Sequence, residues 1–169
     1  MTGRSLQPKV VSTHDGPTYR VGGHLVTCIA RAADTNGVYS LFETHTAPGQ
    51  GTHLYRQQYE DETFWVLEGI YTFMLSSQQL TLAAGSYLYV PRRTLHAYSN
   101  SGGGPARMLV LATPGGIRER FFAEAGERTA DRSASALPGE LPDVSRLLGI
   151  AQKYGIEILP VDTPTDPPR

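Results

Sequence analysis

Five residues in two stretches of the chain carry side chains suited to moving protons. In HLYRQQYEDETFWVLEG (residues 53–69), His53, Tyr55 and Gln57 alternate along an extended run and so share one face of a strand. Glu62 follows after a turn. His96 lies in a later stretch, VPRRTLHAYSN (residues 90–100). An imidazole takes or gives a proton near neutral pH. Glu62 either orients that imidazole or acts as the base itself where apolar surroundings raise its pKa. Tyr55 can donate to a carbonyl or stabilise an enolate, and Gln57 can position a ligand with both a donor and an acceptor. His96, Glu62 and Tyr55 are therefore the candidate catalytic residues, with Gln57 as a binding residue. The chemistry they suit is cyclisation, isomerisation, dehydration or epimerisation of a carbonyl-rich small molecule. The plainer reading of Glu62 and His96 is an inward ion pair with no catalytic role.

The same residues are poor metal ligands. Zn, Fe, Ni, Cu and Mn are served best by imidazole and carboxylate donors. A phenol has a pKa near 10 and binds divalent ions weakly unless ionised. A carboxamide oxygen is a neutral donor. No cofactor is favoured on these grounds. A metal, if bound, would rest on Tyr55, Gln57, Glu62 and His96, with His53 as an added ligand; the simpler reading of His53 is a rim histidine.

Other candidates carry less. Phe64, Tyr71, Phe73 and Tyr98, with Trp65, read as core or pocket-wall aromatics that suit a flat ligand. Cys28, in HLVTCIA, reads as a small core residue. His14, His24 and His45 have no spacing that makes a site. SGGGPA lacks the Lys-Ser/Thr and helix of a phosphate loop.

These side chains need a scaffold, and composition indicates which kind. The chain has 169 residues, 40% of them hydrophobic and 18% charged, with 18 glycines, 12 prolines and nine tyrosines. That is a one-domain length and a turn-rich β composition. A net charge of −1 gives no electrostatic footprint for nucleic acid or an anionic membrane. A single cysteine and a first stretch, MTGRSLQPKVV, without an apolar run lead to the expectation of a cytoplasmic protein. Short strands are expected at KVVS, TYRVGG, HLVTCIARA, VYSLFETH, THLYRQQ, ETFWVLEG, YTFML, QLTL, either side of Pro91, and RMLVLATP, with turns at HDGP, DTNG, EG and SSQQ. Ile117, Phe121 and Phe122 fall at helical spacing in GIRERFFAEAG. A second helix is expected in PDVSRLLGIAQKYG, capped by Asp143, ended by Gly155 and carrying a stripe of Val144, Leu147, Leu148, Ala151 and Tyr154. IEIL could be a last strand; ERTADRSASALPGE reads as loop.

Two segments together resemble the signature motifs of the cupin superfamily. Glu62 and Gly69 fit the first, G-x5-H-x-H-x3-4-E-x6-G, which places Tyr55 and Gln57 at its two histidine positions. Gly85, Pro91, His96 and Asn100 fit the second, G-x5-P-x-G-x2-H-x3-N, with Arg93 where glycine is usual. The resemblance covers roughly residues 8–160 and is closest to small quercetinase-like cupins. It implies an all-β, double-stranded β-helix (jelly-roll barrel) with two C-terminal helices. The expected divisions are a flexible 1–7, a barrel at 8–114, a helical extension at 115–160 and a mobile tail at 161–169. It also implies that the named side chains meet inside the barrel mouth, a preformed small-molecule pocket. Arg93 could bind a carboxylate, phosphate or enolate there; its plainer reading is a solvated turn arginine. The family commonly forms homodimers and includes metal-dependent dioxygenases and polyketide cyclases. A metal-free cyclase, isomerase or dehydratase, a quercetinase-like dioxygenase, and a non-catalytic binder therefore remain as alternatives.

Overall fold

The structure is a computed structural model and describes residues 7–12, 15–133 and 143–159. His14, the first six residues, much of the stretch before the second expected helix, and the proline-rich tail lie outside the described residues. The strands are β1 (Thr18–Val21), β2 (His24–Ala30), β3 (Ser40–Thr46), β4 (Leu54–Gln57), β5 (Asp61–Glu68), β6 (Ile70–Leu75), β7 (Gln78–Ala83), β8 (Tyr87–Val90), β9 (His96–Asn100), β10 (Ala106–Thr113), β11 (Glu127–Thr129) and β12 (Ile156–Leu159). The helices are α1 (Ala32–Thr35), α2 (Ile117–Ala125) and α3 (Val144–Lys153).

The strands form two antiparallel sheets. One has the order β11-β1-β2-β3-β10-β5-β8 and the other β12-β4-β9-β6-β7. Period-two patterning explains why they close on each other. In β10, Ala106, Met108, Val110 and Ala112 are buried while the residues between them are half-exposed. Glu62, Phe64 and Val66 alternate inward in the same way along β5. The inner faces share one core, in which Phe42, Phe64 and Met108 of the first sheet pack with Tyr71, Phe73 and Tyr98 of the second. At about 25 cal/mol per Å² this burial is the main force holding the sheets together.

Four local expectations change. KVVS forms no strand. The residues before and into DTNG wind into α1, because Arg31 N–H is capped by Asp34 (3.0 Å) and Asn36 closes the turn at φ 55°. ERT, within the expected loop, forms β11 on the edge of β1. Trp65 faces outward on β5 and is 50% exposed beside Tyr87, so it is neither core nor pocket wall.

The two expected C-terminal helices form, and Asp143 caps α3 by accepting from Ser145 and Arg146 N–H groups. Gly155 follows at φ 69°. Their apolar faces cover one end of the barrel through Phe121, Ala151, Tyr55 and Ile156, joined by Leu147, Ile150 and Tyr154. The segment after the barrel is not solely an outer helical layer, since β11 and β12 extend the two sheets. No helix among the described residues is long and apolar enough to cross a membrane.

Candidate active site

Tyr55, Gln57, Glu62 and His96 come from three strands and meet inside the barrel. Alternation along β4 turns Tyr55 and Gln57 inward and leaves Arg56 exposed. β9 lies beside β4, with Tyr55 opposite His96 and their rings 4.2 Å apart. Glu62 reaches them from β5 in the facing sheet. Its Oε2 lies 3.0 Å from His96 Nε2, and its Oε1 accepts from the Tyr55 hydroxyl at 3.3 Å.

A fifth side chain completes the group. Arg118, in the first turn of α2, enters the barrel. Its Nη2 donates to Glu62 Oε1 and, at 3.2 Å, to the Tyr55 hydroxyl. The Gln57 carboxamide satisfies both partners when its oxygen faces the guanidinium, 2.9 Å from Nη2. The guanidinium also lies over the rings of Tyr55 and Phe122.

The start of α2 is built to hold this arginine. Gly115 passes so close to Tyr39 that a Cβ would lie 2.6 Å from its carbonyl, and Gly116 takes φ 109°. The helix then begins with free N–H groups. Buried Glu60 accepts from the Arg118 N–H at 3.0 Å, and Glu119 ties back to Ser40 and Ala32. Burial raises the Glu60 pKa, and the charge of Arg118 works against that rise.

Sequence reasoning missed Arg118. A signal was present, because Arg118 stands three and four residues before Phe121 and Phe122 and so shares their helix face.

Protonation follows from burial and partners. His96 is 1% exposed, and burial pushes its imidazole down to about 4, partly offset by the Thr94 carbonyl. That carbonyl can only accept, so Nδ1 carries a proton (2.8 Å). Nε2 then faces a carboxylate oxygen, and one proton must lie between them. Burial raises Tyr55, against the pull of Arg118, so it is a neutral phenol donor.

Beside this cluster lies a cavity of about 100 Å³, comparable with the space one aromatic ring needs. Tyr55, Glu62 and Arg118 face it, as do Phe64, Tyr98 and, at its edge, half-exposed His53. His96 and Gln57 do not line it; they lie behind Glu62 and Tyr55. Tyr71 and Phe73 are fully buried core residues rather than substrate walls. Arg93 is exposed on the turn before β9 and does not line the cavity. It takes φ 68° where the motif has glycine, and its N–H donates to the Gln57 carbonyl at 2.7 Å. Its backbone therefore fixes the turn that aims His96.

The donor set does not fit a divalent metal. Glu62, Tyr55 and Gln57 turn their lone pairs toward a guanidinium, which already supplies the positive charge. A dication here would meet that charge directly. Among the described residues no group of three or more His, Cys, Asp or Glu side chains gathers to hold an ion.

Comparison with known proteins agrees with the fold. The cupin domain profile matches residues 42–112. The chain is 28% identical over 120 residues to quercetin 2,3-dioxygenase of Bacillus subtilis, which is 71% of this chain and 35% of that protein. It is 28% identical over 75 residues to an uncharacterised protein of Methanocaldococcus jannaschii, 44% of this chain and 60% of that one. The chain thus spans about a third of the first relative and less than two thirds of the second. Among solved structures it resembles the polyketide cyclase RemF from Streptomyces resistomycificus (TM-score 0.56, 22% identity, 63% of this chain and 80% of that one). It also resembles a protein described as a predicted oxalate decarboxylase from Thermotoga maritima (TM-score 0.58, 17% identity, 63% and 99%). At these identities the structural likenesses speak for the fold alone. Residues 42–112 thus match the cupin domain, and the two facing sheets closed around them have the double-stranded β-helix fold of the cupins.

Proposed function

We propose that this protein is a small-molecule enzyme that moves protons on a carbonyl-bearing substrate, as a cyclase, isomerase or dehydratase, without a metal ion. The observation that carries the reading is the Arg118 guanidinium at the centre of Tyr55, Gln57 and Glu62. A fixed cation and a neutral phenol facing an apolar cavity form a site for a developing enolate oxygen. Glu62, on the same wall, is the group placed to take a proton from the carbon next to that carbonyl. His96 acts behind it, moving the shared proton between Oε2 and Nε2 so that the pair can return a proton to another atom of the product. A homodimer and a cytoplasmic location belong to the same proposal. Trp65, Tyr87 and Tyr89, exposed on β5 and the edge strand β8, suit the contact with a second copy.

The similarity to quercetin 2,3-dioxygenase supports a second reading, metal-dependent oxygenation, in which Arg118 would have to leave the ligand group. Deuterium exchange at the α-carbon of 4-methoxyacetophenone, followed by NMR in D₂O, separates the two. Exchange that persists in chelator-treated protein and falls roughly 10²–10⁴-fold in Glu62→Gln is the expected result. Exchange that a chelator removes and a metal restores would favour the second reading. Unchanged exchange in Glu62→Gln would leave a binding role.

A further inference from the structure

The cavity wall carries one phenol with no task in the proton transfer. Tyr98 turns inward on β9 and lines the cavity with Tyr55, Glu62 and Arg118. Its backbone is committed: the Tyr98 carbonyl accepts from the Thr52 N–H at 2.9 Å, and its own N–H donates to Thr52 Oγ1 at 3.2 Å. Its ring packs edge-to-face with His24, Phe64 and Tyr71. The hydroxyl has no hydrogen-bond partner among the described residues, and it opens to the cavity rather than being sealed in the core. Burial, with Tyr55 and Tyr71 nearby, pushes its ionisation far up, so it is a neutral phenol with a proton to donate. A buried donor without an acceptor is costly until something supplies one.

This donor stands close to the group that holds the carbonyl. Tyr55 pairs with His96, and Tyr98 is two residues further along β9 on the same face. Diagonal neighbours on adjacent antiparallel strands lie about 7–8 Å apart. The two phenols are near enough that a charge on Tyr55 would act on Tyr98. One ring spans the step between them: Phe64, from the facing sheet, lies 6.0 Å from His96 and 5.8 Å from Tyr98. Phe64 itself lines the cavity, with Val26 and Val110 as further apolar walls. A flat ligand lying on Phe64 has Tyr55 and Arg118 on one side and Tyr98 on another. Two hydrogen bonds of about 2.8 Å bring the oxygens of a meta-substituted aromatic diketone within that span.

We propose that Tyr98 is a specificity-determining residue whose hydroxyl donates to a second oxygen of the substrate. The ligand class is a flat, mostly apolar molecule with two acceptor oxygens a few bonds apart: one carbonyl at Tyr55 and Arg118, and a second carbonyl at Tyr98. The first contact rests on the proposed function. The second is carried by the Tyr98 geometry alone.

Two compounds of the same shape test it: 1,3-diacetylbenzene, and 3′-isopropenylacetophenone, in which a methylene replaces one carbonyl oxygen. Binding is read by calorimetry on the full chain. Wild type is expected to prefer the diketone about threefold to tenfold beyond the twofold that its symmetry supplies, the worth of one neutral hydrogen bond. Tyr98→Phe, which removes only the oxygen, is expected to leave that twofold alone. Infrared spectra of the bound diketone, ¹³C-labelled at both carbonyls, are expected to show two stretches lowered from their position in an apolar solvent. One is expected to move back in Tyr98→Phe and the other in Tyr55→Phe. No extra preference in wild type, an unchanged preference in Tyr98→Phe, a single lowered stretch, or failure of both compounds to bind would each overturn the proposal. Tyr55→Phe separates it from the catalytic reading. If that variant moves neither stretch while Tyr98→Phe moves one, the carbonyl end was misread and the Tyr98 contact stands.

Discussion

Arg118 Nη2 donates to Glu62 Oε1 inside the barrel, with side-chain exposures of 8% and 1%. The pair unites an α2 residue with a β5 residue across the wall of the cavity. It holds the helical cover to the barrel and supplies a cation where cupin metal ligands would converge.

Removing the cation should cost more than the pair itself contributes. Arg118→Met leaves Glu62 buried without its charge partner, and the expected loss is about 3–5 kcal/mol in urea unfolding. The double variant Arg118→Met/Glu62→Gln is expected to regain much of that loss, because the orphaned charge is gone. A double variant no more stable than the single would show that Arg118 stabilises mainly by packing on Tyr55 and Phe122.

Restoring imidazoles alone should not create a metal site. Tyr55→His/Gln57→His places two more ligands beside Glu62 and His96, but the guanidinium still occupies their midst. Elemental analysis after dialysis is expected to find little Zn or Ni in that variant. Tyr55→His/Gln57→His/Arg118→Ala is expected to hold close to one equivalent. Stoichiometric metal in the variant that keeps Arg118 would show that the arginine leaves readily.

His24 makes stability fall in acid. Its folded pKa, about 4, lies below its ordinary 6.5 because burial disfavours the cation. Between those values the unfolded chain binds more protons, so stability drops as pH falls from about 6.5 to about 4 and is complete above. The contribution is up to about 3 kcal/mol. His96 adds to the same slope in both proteins, so the wild-type slope minus that of His24→Phe isolates His24. Denaturant midpoints at pH 7 and pH 4.5 measure it, and equal slopes would show that His24 takes up its proton without cost.

Glu60 should matter as a helix anchor. Glu60→Ala removes the acceptor for the Arg118 N–H, and a loss of about 1–2 kcal/mol is expected, the usual worth of a helix cap. Hydrogen exchange should quicken first at the start of α2. Unaltered exchange there would show that Glu119 alone suffices.

Much of this architecture was legible in the residues. Alternation placed Tyr55 and Gln57 on one strand face, and motif spacing brought Glu62 and His96 to the same interior. The stripe in α3, its Asp143 cap and Gly155 were local signals, and local chemistry is what a sequence carries directly. Val144 and Leu148, expected in that stripe, lie outside the apolar cluster, which Ile150 joins instead.

What only the tertiary structure decided is which atoms face the ligand. Tyr71 and Phe73 alternate as wall residues would, yet they meet the opposite sheet rather than the cavity. His96 fits its motif, yet Glu62 stands between it and the open space. Arg118 reads as a charged residue on a surface helix. Its entry into the barrel depends on the angle at which α2 docks, which Gly115, Gly116 and Glu60 set from distant parts of the chain. His24 had no partner in sequence spacing, because its site is made by Thr46 and Gly51 on other segments. Periodicity fixes which face of an element is buried; the closure of two sheets and a helix fixes what that face meets.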